Sequence, residues 1–216
     1  MGNSNISSCD CARNIGAHLD STLDMRSHVN SIIKACYIQL RYISKIRRYL
    51  TLDSTKKLIH AFVSSRLDNL NCLLTNLPDE QIKRLQLIQN NAARLVMRER
   101  KSCHITPILK QLHWLPVVYR IKFKIVLLVY KCLNGLGPVY LENLLKYYTQ
   151  DINLRSLKQK PLEERRYNKQ YGKRAFAIAG PKLWNSLPLD IRESCSVSTF
   201  KSVLKTYFFR LSYGET

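Results

Sequence analysis

No uninterrupted apolar run of the roughly 18 residues that a transmembrane helix requires occurs in the chain. The longest candidate, IKFKIVLLVY at 121–130, is interrupted by two lysines, so no membrane partner is expected. The N-terminus has no apolar secretory core, and MGNSNIS places Ile6 where a myristoylation signal needs Ser or Thr; the expected location is cytoplasmic or nuclear. Paired C-x-x-C spacing is also missing. The seven cysteines, Cys9, Cys11, Cys36, Cys72, Cys103, Cys132 and Cys195, are an odd number scattered through apolar segments, which points to reduced thiols. Cys9 and Cys11 with His18, or Cys103 and His104 with His113, lack the spacing of a zinc site, so no metal is expected. Acidic residues are scarce. Nucleotidyl transfer by two metals needs clustered carboxylates, and here they are isolated: Asp20 and Asp24 could meet on one helical turn, but a strand end followed by a helix cap accounts for both. G-x-x-x-x-G-K-[ST], G-x-S-x-G and H-E-x-x-H are all absent. His60 and His113 have no nucleophile in a context that pairs with either, and read as structural histidines. The chain alone is expected to be no enzyme and to need no cofactor.

What is present is apolar content and positive charge. With 216 residues, 45% of them hydrophobic, the chain can build one substantial domain or two small ones. Its 35 Lys and Arg against 15 Asp and Glu give a net charge of +20, a potential that attracts polyanions, nucleic acid first among them.

Along the chain, residues 1–11 read as a frayed start, and ARNIGAHLD as one short strand with Ile15, Ala17 and Leu19 alternating and Gly16 allowing close approach. From Asp24 to Leu50, Val29, Ile32, Ile33, Cys36, Leu40, Ile43 and Ile46 fall at helical spacing, with Lys34, Arg41, Lys45, Arg47 and Arg48 on other faces. A second helix opens on Asp53 as N-cap and buries Leu58, Ile59, Phe62, Val63 and Leu67. A third starts at Asp79, with Ile82, Leu85, Ile88, Ala92, Leu95 and Val96 on one face and Lys83, Arg84, Arg94, Arg98 and Arg100 elsewhere. Short connections make these three helices a bundle.

Beyond it, Thr106 reads as a cap with Pro107 in the first helical position. Pro116 then separates a short helix from a long one, Gly135 or Gly137 ends that one, and Pro138 begins another. Residues 149–174 form a basic loop with room for a small hairpin around 153–168; Arg155, Lys158, Lys160, Arg165, Arg166, Lys169, Lys173 and Arg174 lie in it. The stretch GKRAFAIAGPKLWNSLP reads as a buried helix, kinked by Gly180-Pro181, that anchors the loop, and Ser198 as the cap of a final helix through Phe200, Val203, Leu204 and Phe208. The fold class is mainly α: a three-helix bundle, a second helical region and a short N-terminal strand.

Several stretches together resemble the C-terminal part of the reverse transcriptase of a non-LTR, LINE-type retrotransposon of the jockey-like kind. They are RNIGAHLDSTLDMRSHVN, YLTLDSTKKLIHAFVSSRLD, LIQNNAARLV, HITPILKQLHWLPVVYRIKFKIVLLVYKCLNGLGPVYL, YGKRAFAIAGPKLWNSLPLDIR and FKSVLKTYFF, matching in order and spacing from about Ala12 to Phe209. Departures are Ala17-His18, where the family prefers large apolar residues, and LDNLNCLLTNLP, which lacks the aromatic expected near Asn69.

The resemblance implies that residues 1–23 hold a frayed start and a remnant palm-edge strand, 24–101 a thumb-like bundle, and 102–216 a C-terminal helical domain. It implies that the paired catalytic aspartates, fingers and endonuclease of an intact relative lie upstream, with palm and fingers as the natural intramolecular partner and Mg²⁺ needed only there. The charge then has a job: Lys34, Arg41, Lys45, Arg47 and Arg48 with Lys83, Arg84, Arg94, Arg98 and Arg100 hold phosphates of RNA or an RNA/DNA duplex. Arg155, Lys158, Lys160, Arg165, Arg166, Lys169, Lys173 and Arg174 clamp RNA, with Tyr167 and Tyr171 available for stacking. Each cation also fits a solvated face, of a helix or of an ordinary charged loop. Trp184 is either core or a stacking platform. The rival reading is a basic protein-interaction module without polymerase-related activity.

Overall fold

The computed structural model describes residues 10–148, 161–167 and 170–214, with no account of the Gln170 and Tyr171 side chains. The chain is mainly α, as its periodicity predicts.

The N-terminal strand is two strands. β1 (Cys11–Asn14) pairs antiparallel with β2 (Ala17–Asp20), because Ile15 and Gly16 both take positive φ, 48° and 86°, as the two-residue turn of a right-twisted hairpin requires. A two-residue turn leaves the alternation of flanking side chains unbroken, so the pattern alone reads as one strand. Asp20 ends β2 as expected, but Asp24 is not the cap of the helix that follows: the N-cap is Met25, at φ 60° and without a side-chain cap bond, while Met25 N–H donates to Asp20 Oδ1 (3.3 Å) and Arg26 N–H to Asp24 Oδ1 (2.8 Å).

α1 (Arg26–Ile46) ends in a 3₁₀ turn, Arg47–Tyr49. Its buried residues Val29, Ile32, Cys36, Leu40 and Ile43 recur at three- and four-residue spacing and face α4 (Asp79–Met97), which returns Leu85, Ile88, Ala92 and Val96. Ile46, placed in the apolar stripe from sequence, is 46% exposed; the helix tightens into its 3₁₀ turn there and the stripe rotates out of register. Between α1 and α4 runs α2 (Leu52–Ile59), a single π turn His60–Ser64, and α3 (Ser65–Asp68). The N-cap of α2 is Thr51, not Asp53: Thr51 Oγ1 accepts from Ser54 N–H at 3.1 Å, while Asp53 sits in the first turn paired with Lys57 at 2.7 Å. The π turn also displaces Phe62 from the expected stripe, leaving it 43% exposed. Cys36 is fully buried, and burial pushes its thiol up to about 11, which keeps it protonated and inert.

α5 (Ile105–Gln111) is preceded by His104 as N-cap, not Thr106. Pro107 therefore stands third in the helix, still within the turn whose N–H groups have no intrahelical partner. Pro116 introduces α6 (Val117–Leu133). Gly135, φ 67°, closes α6: Leu136 N–H reaches Lys131 C=O at 2.8 Å and Gly135 N–H reaches Cys132 C=O, the paired bonds of a left-handed helix terminus. α7 (Val139–Glu142), α8 (Phe176–Asn185), α9 (Leu189–Arg192) and α10 (Val197–Tyr213) follow. Ser196, not Ser198, caps α10, accepting from Thr199 N–H at 3.1 Å. Phe200, Leu204 and Phe208 are buried as expected, but Val203 is 39% exposed, because it lies a quarter turn off that line.

Two apolar cores result. The first runs from Met25 through Ile125 and the second joins Leu115, the later part of α6, Leu162, Trp184 and α10. α6 belongs to both, so the cores divide within one helix. Trp184 is 5% exposed and packs 6.1 Å from Phe200 and 6.5 Å from Tyr130; of its two readings it fills core. The expected hairpin around 153–168 falls mostly outside the described residues; within them, Tyr147 and Leu162 form an antiparallel bridge. Asn185 holds that bridge from α8, its side-chain amide donating to Leu162 C=O (2.8 Å) and accepting from Leu162 N–H (2.9 Å). Asn185→Ala leaves both groups of a buried residue unpaired and should cost about 2 kcal/mol. Hydrogen exchange is expected to show faster exchange at the Leu162 amide, and unchanged exchange there would contradict this anchoring.

His28 is 3% exposed. Burial, with a smaller contribution from His18, pushes its pKa down from 6.5. The folded chain therefore keeps this imidazole neutral where the unfolded chain has protonated it, and stability is expected to fall as pH drops below 6.5 toward the folded value. Urea unfolding between about pH 7.5 and about pH 5.5 checks this. His28→Asn should shrink the slope but not abolish it, since His60 is shifted in the same direction.

Candidate nucleic-acid interface

Lys34, Arg41 and Lys45 are exposed on α1. With Ile38 their spacing is i, i+4, i+7 and i+11, so they share one helical face, opposite the residues that pack on α4. Ile38, Tyr42, Ile46 and Tyr49 are 42%, 58%, 46% and 73% exposed beside them, and the Arg48 guanidinium lies 4.6 Å from the Tyr49 ring centre. The interleaving of aromatic and cationic side chains was missed from sequence, although the spacing was there to be read.

Across from Arg41, the C-terminal half of α4 completes a shallow groove of about 570 Å³, bordered by Tyr37, Arg41, Arg94, Arg98 and Lys101, with Glu99 the carboxylate among its lining residues. Arg98 adopts a left-handed conformation, φ 58°, and donates to Arg47 C=O at 3.3 Å. One Arg94 nitrogen donates to Cys103 C=O at 3.1 Å, while its Nε has no hydrogen-bond partner. Lys101 was also missed from sequence; it follows the helix end, outside the periodic stretch.

Arg47 is a correction. Expected among the phosphate contacts, it is 8% exposed and its guanidinium is used up inside the fold: it donates to Leu95 C=O (2.9 Å), Val96 C=O (2.7 Å) and Leu50 C=O (2.8 Å). The first two are carbonyls of the last turn of α4, which have no intrahelical partner, so Arg47 is a side-chain cap delivered from the end of α1. Its charge still underlies the groove.

The other predicted residues do not join this groove. Lys83 is exposed near the start of α4, about 22 Å along the axis from Arg98. Arg84 bonds Asn30 Oδ1 at 2.7 Å. Arg100 is exposed beyond the helix end. Arg165 and Arg166 are exposed, and Lys173 sits 5.7 Å from the Tyr167 ring centre at a separate cavity of about 510 Å³ that also gathers Lys122 and Lys182. Arg174 is half-buried and engaged. Arg155, Lys158, Lys160 and Lys169 lie outside the described residues, as does the Tyr171 side chain.

Among the described residues, no group of three His, Cys, Asp or Glu side chains could hold a metal ion, and no helix is long and apolar enough to cross a membrane. No protein-family model matches the chain, and no curated protein or solved structure is detectably similar to it.

Proposed function

We propose that this chain is the thumb and C-terminal part of a LINE-type retrotransposon reverse transcriptase, which grips template–primer duplex or element RNA without itself transferring nucleotides. The observation that supports this most is the meeting of Arg41, Arg94, Arg98 and Lys101 around one groove, next to the Lys34, Arg41 and Lys45 face of α1. Cations so arranged hold successive phosphates and leave base edges unread, so binding is expected to be nearly blind to sequence and steeply weakened by salt. The neighbouring tyrosines offer flat faces to sugars and unstacked bases. In an intact relative the palm would carry the paired aspartates and their Mg²⁺, and palm and fingers would be the partner of the N-terminal hairpin.

The exposed Ile38, Tyr42, Ile46 and Tyr49 also suit a protein-interaction module, in which charge only maintains solubility. Gel retardation of labelled RNA duplex and single-stranded RNA at rising salt separates the two: the grip predicts retardation that fades steeply, the rival none. Primer extension with Mg²⁺ should give no product; reproducible synthesis would overturn the non-catalytic reading.

A further inference from the structure

A second cavity, of about 290 Å³, lies where the two cores meet, lined from the π turn, α3, the 3₁₀ turn Asn71–Leu74, the α5–α6 junction, α6 and α10. Its most buried lining residues are neutral, the half-buried Arg120 and Asp68 neutralise one another, and its exposed lysines form no ion pair with either. Asn71 is 3% exposed, Trp114 6% and Leu115 7%, whereas Lys124 and Lys205 are exposed. The one carboxylate, Asp68, is occupied on both oxygens by the Arg120 guanidinium.

Two donors on buried residues that line this cavity have no protein partner among the described residues. The Asn71 amide nitrogen makes no hydrogen bond among the described residues, its oxygen meeting only the Cys72 thiol at 3.9 Å, and the Trp114 indole N–H makes none. Neither is among the partnerless atoms sealed from solvent, so both are reached by water, in residues that line the cavity. Donors of this kind bond to water in the free chain and can exchange it for a ligand.

The wall that carries Trp114 is fixed in place. Tyr213 Oη donates to Trp114 C=O at 2.6 Å and Gln89 Nε2 to Leu115 C=O at 2.8 Å. His113 just before them takes φ 53°, closing α5 in the position where glycine is favoured.

We propose that this cavity binds a single nucleotide: its base lies against Phe123 and Leu115 with its polar edge on Asn71 and Trp114, and its phosphate sits at the mouth between Lys124 and Lys205. A neutral flat heterocycle needs amide-type donors and apolar walls inside, and its phosphate needs cations at the rim. A free oxyanion would instead want its cations within. The nucleotide can be a free mononucleotide or one splayed from a bound RNA, and in the second case the proposal rests on the nucleic-acid reading above.

The test follows the two indole N–H resonances of the full chain, Trp184 in the second core serving as internal control, during titration with adenosine or uridine monophosphate, the matching nucleosides, and inorganic phosphate. A saturable shift at Trp114 alone, from mononucleotides, is expected. Replacing both exposed lysines, Lys124→Ala with Lys205→Ala, should weaken mononucleotide binding about tenfold and leave the nucleosides unaffected. No saturable shift at Trp114, the same shift from inorganic phosphate, or indifference to the lysine replacements would overturn the proposal. Single-stranded RNA that displaces the mononucleotide assigns the pocket to polymer. A mononucleotide shift without any RNA retardation assigns it to free nucleotide and removes the nucleic-acid grip. RNA retardation without a mononucleotide shift removes the pocket and leaves the grip.

Discussion

Replacing Arg47 with alanine is expected to destabilise the fold by about 3 kcal/mol, while the same change at Arg48, one residue on, should stay within about 0.5 kcal/mol. Arg47 makes three charge-assisted bonds to carbonyl oxygens of Leu95, Val96 and Leu50. Removing it strips the end of α4 of its cap and leaves those acceptors without the donor that desolvated them. Part of that loss is offset because a guanidinium no longer has to leave water, which is why the expectation is below the sum of three such bonds. Arg48 faces solvent over Tyr49 and has little to lose. Urea unfolding of the two variants decides it, and equal stabilities would return Arg47 to the surface. Because the cap joins the end of α1 to the end of α4, Arg47→Ala should also weaken RNA binding indirectly, by loosening the two helices that border the groove.

Arg41→Ala with Lys45→Ala should reduce RNA affinity about a hundredfold at low salt and lower the slope of log affinity against log salt by about two, close to one for each phosphate that is no longer neutralised. Both residues are exposed and make no ion pair among the described residues, so their removal should leave stability nearly unchanged. The matched control is Lys201→Ala with Arg210→Ala on α10, which removes the same charge from a helix that packs on α6 and α9. If affinity tracks net charge alone, the two pairs will behave alike; if the α1 face holds the phosphates, only the first will matter. Equal losses would reduce the proposed interface to a general electrostatic attraction.

The helices were legible because each buries a stripe against a neighbour, and burial writes itself as three- and four-residue spacing in Val29–Ile43 and Leu85–Val96. Misreadings cluster where two choices satisfy the same local chemistry. Thr51 and Asp53 can both cap, as can Ser196 and Ser198, and what separates them is which residue takes extended backbone and accepts from the N–H three residues on. The hairpin was read as one strand because Ile15 and Gly16 turn the chain without breaking its alternation. Arg47 was misread for a different reason. A cation in the last turn of a basic helix reads as dipole-favoured and solvent-facing, and nothing nearby in sequence reports that carbonyls 48 and 49 residues away will claim it. The cavity that brings Asn71, Trp114 and Phe123 together with Lys205 was unreadable on the same ground, since its members come from segments that meet only after both cores form. By contrast, the Lys34, Arg41 and Lys45 face was present in the spacing of one helix, and only the tyrosines beside it were passed over.

The measurement closest to the central claim is the salt dependence of single-stranded and duplex RNA binding by the unmodified chain and by the Arg41→Ala, Lys45→Ala pair, taken side by side. A steep negative slope that flattens in the paired variant is the predicted result. A flat slope in the unmodified chain, or a steep one that the paired replacement leaves untouched, would contradict the assignment of this helical face as a nucleic-acid grip.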